Sequence, residues 1–90
     1  MDSQSTHEVV LSAAAEVLAL DRASIVKAPL LSDLAQFNSF RSVELLESVE
    51  ARLHIEIDSA DLTPANLASV DRLSELCSRY LAEGRVVGHG

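Results

Sequence analysis

Aromatic residues are almost missing from this 90-residue chain, which has no tryptophan, one tyrosine and two phenylalanines. Strands favour aromatic and β-branched side chains, whereas alanine and leucine dominate here, so the composition points to small packed helices. A single cysteine cannot close an internal disulfide, which fits a reducing compartment. No apolar run approaches a transmembrane length, and the opening MDSQSTHE lacks the charged-then-apolar pattern of a signal peptide. The expectation is a soluble cytoplasmic protein. Basic residues are scarce, at seven Lys and Arg against fourteen Asp and Glu, for a formal charge of −7. Such a surface repels nucleic acid and anionic membranes, and its natural complement is a basic protein partner.

What is present is hydrophobic enough to fold, at 48% of residues. The length allows one domain over 1–90, with a core at about 5–82 and a loose tail at 83–90. A chain this short has trouble enclosing a dry active site, which weighs against an enzyme acting alone. Ser5 and Glu8 have capping-box spacing, and Val9, Val10, Ala13, Ala14, Val17 and Leu18 recur at helical intervals. Together they predict a first helix over about 6–20. Residues 21–37 read as a long connection, broken by Pro29 but apolar enough to pack on the core. Asn38 caps a second helix that runs to about Leu53 or His54, with Phe40, Val43, Leu46, Val49 and Leu53 on one stripe and Leu45 widening it. Glu44, Glu47 and Glu50 lie on its other side. Ile55 and Ile57 find no partner strand and read as an extended link. Short turns are expected at Ser59 or Asp61 and at Thr63, with Pro64 in the first helical position. Ser69 caps the last helix, whose buried face is Val70, Leu73, Leu76, Cys77, Tyr80 and Leu81, and Gly84 ends it. The sum is an all-α four-helix bundle, three main helices and one short one.

Several chemistries fail on spacing. His7, His54 and His89 show no metal-ligand spacing with each other or with Cys77, and each reads as a surface residue. No serine has nucleophile-elbow glycines or a histidine placed to serve it. No glycine-rich phosphate loop is present. Cys77 falls on an apolar helix face and reads as a buried thiol.

Ser39 is the remaining candidate. Its plain reading is a serine tolerated in a first helical turn. Three features argue for more. It follows the cap directly, among unpaired backbone N–H groups and the positive end of the helix dipole, where a phosphate is stabilised. It ends a long apolar loop that would hold it at the surface. The helix beyond it gathers its glutamates on one face.

The run "NSFRSVELLESVEARLHIEI" resembles the acyl and peptidyl carrier proteins, whose signature is Asp-Ser-Leu at the start of a helix, then a Val-Glu-Leu segment, acidic positions and an Ile-Glu-Ile-like exit. "DLTPANLASVDRLSELCSRYL" is similar to that family's third and fourth helices, and the resemblance covers about residues 5–82. It implies that Ser39 carries 4′-phosphopantetheine, placed there from coenzyme A by a separate phosphopantetheinyl transferase that supplies the base and Mg²⁺. The prosthetic thiol would hold cargo as a thioester, and the carrier itself would catalyse nothing. The implied partners are that transferase, an acyltransferase or adenylating loading enzyme, and a ketosynthase or condensing enzyme. Alone, the chain would be a monomer.

Departures from the pattern are informative. Asn38 replaces the usual Asp, keeping the cap but removing a charge beside Ser39. Gln36 stands where Gly is frequent, and Phe40 replaces Leu. Arg41 and Glu47 differ from bacterial fatty-acid carriers, which are acidic and apolar there. These changes point to a discrete carrier of polyketide assembly. The alternatives are an aminoacyl or peptidyl carrier, towards which Thr63-Pro64 and the following Leu-Ala-Ser-Val lean, and an unmodified helical interaction module. Docking is assigned to Asn38, Phe40, Arg41, Glu44, Glu47 and Ser48. Exposed ion pairs of about 0–1 kcal/mol each suit a shuttle that must let go.

Overall fold

The computed structural model describes residues 3–84, so the expected tail is covered only at Glu83 and Gly84, and His89 lies outside the described residues. Four helices form: α1 (Ser3–Leu18), α2 (Arg22–Lys27), α3 (Ser39–Leu53) and α4 (Val70–Ala82). Single 3-10 turns occur at Leu31–Asp33 and Ser59–Asp61, and no strand forms among the described residues. The chain is all-α with three substantial helices.

Helix α1 lies at the centre, packed against α3, α4 and α2. Its small residues Ala13 and Ala14 are fully buried and let the neighbouring helices approach. Val10 and Leu11 join them in one cluster with Leu45, Leu46 and Val49 of α3 and Leu73, Leu76, Cys77 and Tyr80 of α4. Ion pairs fasten the outside of α1: Glu16 to Arg52 of α3 at 2.7 Å, His7 to Asp71 of α4 at 2.9 Å, and Glu8 to Arg22 of α2.

Local chemistry sets the helix ends. Asn38 Oδ1 accepts the Arg41 N–H at 2.9 Å, and Ser69 Oγ accepts the Arg72 N–H at 3.1 Å, so both expected caps are made. Helix α4 ends at Gly84, whose φ of +73° suits glycine. Helix α1 begins earlier than expected, which puts Ser5 inside the helix and leaves no role as a cap. It also stops earlier, because Ala19 turns left-handed and the Leu20 N–H bonds back to the Ala15 carbonyl.

Three expectations are corrected. Residues 21–37 hold a helix, α2, because Asp21 Oδ1 accepts the Ser24 N–H at 2.8 Å and Ile25 is buried. That helix stops at Ala28, which is extended ahead of Pro29 as pre-proline sterics require. The Thr63-Pro64 start makes the short turn expected there and does not lengthen, so the short helix of the bundle is α2. Thr63 Oγ1 accepts the Asn66 N–H and the Thr63 carbonyl the Leu67 N–H, which caps and closes that single turn, and the Asn66 side-chain amide donates to the Asp61 carbonyl. The apolar stripe of α3 is also split. Leu45, Leu46, Val49 and Leu53 are buried, whereas Phe40 is 68% exposed and Val43 55%. Both residues sit in the first turns of α3. Glu50 leaves the acidic face too, since its carboxylate accepts the Ile57 N–H at 2.8 Å and holds the segment after α3.

Candidate functional site

Ser39 is the first residue of α3, directly after its cap. Its side chain is exposed, and among the described residues no group hydrogen bonds to its Oγ. Its carbonyl accepts the Ser42 hydroxyl at 2.7 Å, a local bond that steadies the turn. The first intrahelical bond runs from the Ser42 N–H to the Asn38 carbonyl, and Asn38 Oδ1 takes the Arg41 N–H. The N–H groups of Ser39 and Phe40 therefore stay open at the positive end of a 15-residue helix.

Ser39 also borders an open groove of about 480 Å³. Phe37, Asn38, Ser39 and Ser42 form one side, Pro64, Leu67 and Ala68 face them, and Ser32 stands at the edge. The Leu31 N–H donates to the Ala68 carbonyl at 2.8 Å and ties the two sides together. No titratable side chain lines the groove. Nothing in it can take the Ser39 proton, so the groove can hold a chain but offers no general base for hydrolysis.

The residues assigned to docking surround this point unequally. Asn38 spends its side-chain oxygen on the cap. Phe40 and Val43 present bare apolar surface beside Ser39. Arg41 and Glu44 pair with each other at 2.7 Å and largely cancel. Glu47 is exposed and Ser48 half-buried one turn further on. Of the two acids favoured for docking, only Glu47 has no ion pair among the described residues. Cys77 is fully buried, and burial with nearby Glu50 pushes its thiol up to about 12, so it is inert at neutral pH. His54 is exposed and supplies the left-handed end of α3, and His7 serves the pair with Asp71. Among the described residues no three of His, Cys, Asp and Glu gather as a metal site, and no helix is long and apolar enough to cross a membrane.

The family model described as "phosphopantetheine attachment site" matches residues 8–77. The chain belongs to this family. Carrier domains of this kind hold a covalent 4′-phosphopantetheine group and are substrates of modification, not catalysts. The helical arrangement is that of the small acyl carrier fold. Comparisons with curated proteins and with solved structures gave no match.

The residues around Ser39 fit such a group. The hydroxyl is accessible and uncommitted. Open backbone N–H groups and a helix dipole favour a phosphate. No carboxylate lines the groove to repel it, and the charge of Glu44 is met by Arg41. The groove walls went unread in the sequence, because residues 37–42 and 64–68 meet only in the folded chain. Leu67 carried no signal there beyond being apolar.

Proposed function

We propose that this chain is a single carrier domain whose Ser39 bears the 4′-phosphopantetheine arm and hands thioester-bound acyl groups between enzymes of polyketide assembly. The observation that carries the assignment is an exposed serine, free of side-chain partners, at the N-terminus of α3 in a chain of this family. In the modification, the Ser39 oxygen bonds to the phosphate of coenzyme A. The nucleotide portion leaves, and the hydroxyl proton passes to a base on the transferase.

Helix α3 is the docking face in this reading. Phe40 and Val43 supply apolar contact, Glu47 a free charge, and Asn38, Arg41, Glu44 and Ser48 the surround. The partners are a phosphopantetheinyl transferase, a loading acyltransferase and a ketosynthase. The departures at Gln36, Asn38, Phe40, Arg41 and Glu47 support a pathway other than housekeeping fatty-acid synthesis. A cytoplasmic location goes with this role.

Intact mass after incubation with a broad transferase and coenzyme A tests the site. The expected result is one added phosphopantetheine on the native chain and none on Ser39→Ala. A labelled Ser39→Ala variant sinks the assignment, and an unlabelled native chain favours an unmodified interaction module. Loading by an adenylating enzyme instead of an acyltransferase would move the cargo from acyl to aminoacyl or peptidyl groups.

A further inference from the structure

From residue 58 to residue 72 no side chain is buried, although the chain on either side is anchored by Ile57 and Leu73. This stretch supplies one wall of the groove beside Ser39, through Pro64, Leu67 and Ala68. Apolar contact places that wall only in part, through Leu62, Leu67 and Val70, which are half-buried against the core. Hydrogen bonds complete its placement, and those around Asp58, Asp61 and Asn66 lead to one buried group.

Tyr80 of α4 is 2% exposed, with its ring in the core. Its hydroxyl donates to Asp61 Oδ2 at 2.6 Å and accepts the Asp58 N–H at 2.8 Å. The Asp61 carbonyl accepts the Asn66 side-chain amide at 2.8 Å. At the far end, the Leu31 N–H holds the Ala68 carbonyl. Pro64 and Leu67 span the interval between these two ties, facing Ser39 and Ser42. The opposite wall is rigid by comparison, since it continues into α3 with its buried Leu45, Leu46 and Val49.

We propose that Tyr80 is a positioning residue for the groove: through Asp61 and Asn66 it holds the wall at 64–68 towards α3, and so limits how much of an arm or cargo tethered at Ser39 the carrier shelters. The proposal rests on the Ser39 reading for what is tethered, but not for how the wall is held. A phenol suits the task. Its ring is fixed by packing, and its oxygen meets the exposed stretch as both donor and acceptor. Loss of one such bond, at about 1 kcal/mol, shifts a local opening equilibrium about fivefold.

Tyr80→Phe removes the oxygen and keeps the ring, and Asp61→Ala breaks the same tie from the exposed side. Amide hydrogen exchange on the unmodified variants is expected to quicken at residues 58–69, about fivefold for Asp61→Ala and more for Tyr80→Phe, which loses two bonds, and to leave α1 and α3 unchanged. On the phosphopantetheinylated protein, the arm thiol should react with an aromatic disulfide reagent more slowly than free pantetheine, and both variants should narrow that gap. Buried Cys77 stays silent, and the unmodified chain provides the blank. Exchange that rises equally throughout the helices, or thiol rates identical in native and variant proteins, overturns the proposal. Failure of the native chain to gain mass at Ser39 would instead strike the attachment reading, while the exchange data still decide whether Tyr80 holds the wall.

Discussion

The helical core and the stretch 58–72 are built in opposite ways. In the core, α1 sinks Val10, Ala13 and Ala14 between α3 and α4, and most contacting groups are apolar. In the stretch no residue is fully buried, and position comes from half-buried Leu62, Leu67 and Val70 together with hydrogen bonds to Tyr80, Asn66 and Leu31. A buried leucine is worth about 2–5 kcal/mol on truncation, whereas one hydrogen bond nets about 1 kcal/mol. Ser39 stands on the boundary, backed by the strong region and faced by the weak one. A carrier gains from this arrangement. Under the proposed attachment at Ser39, the arm would leave from a fixed place, while the surface across from it would yield to whatever is attached.

The contrast can be broken by truncation. Leu73→Ala removes a fully buried α4 side chain and should cost about 3 kcal/mol in urea unfolding, with the whole bundle weakened. Next comes the thiol of Cys77. Its native value is raised above the ordinary 9.0, so its share of stability is complete below pH 9 and falls away as pH climbs towards about 12. Thiol labelling at pH 8 should therefore be slow in the native protein and fast in urea. Leu67→Ala, on the half-buried groove wall, should cost about 1 kcal/mol or less. If it cost as much as Leu73→Ala, the division between the regions would collapse. The smallest effect is at Asp21, whose carboxyl is held below 3.8 by its bonds to Ser24. That contribution is complete above pH 3.8 and disappears as pH falls through the lowered value. Amide shifts of Ser24 followed by NMR should show α2 loosening there, ahead of α3 and α4.

How much of this was legible in the sequence depended on range. Asn38 and Ser69 announced their helices because a cap acts over three residues. The periodic cores of α1 and α4 were readable for the same reason. Helix α2 was hidden because six residues give too little period, and an apolar loop looks the same. The stripe of α3 named the right face but not its length: Phe40 and Val43 share the spacing of Leu46 and Val49, and only packing in the folded chain decides which are covered. The place of Ser39 at the start of α3 was legible from its neighbours, but the groove beside it was not. That surface joins residues 32–42 to residues 64–68 through a contact between Leu31 and Ala68 that no local pattern encodes. Tyr80 read simply as a core residue, since nothing in the sequence announced that its hydroxyl reaches Asp61.

Phe40 and Val43 have one more consequence. An exposed aromatic beside an exposed valine is an adhesive spot, and every copy of the chain carries it. Two copies approaching face to face also bring together two bodies of formal charge −7. Their mutual repulsion, felt over about 8 Å at physiological salt, works before the apolar contact can form. A basic enzyme surface meets no such barrier. The net charge therefore acts as a filter on encounters, letting the chain remain dispersed at high concentration while Phe40 and Val43 stay uncovered. Raising the salt should erode that filter and reveal itself as a rising second virial attraction between copies.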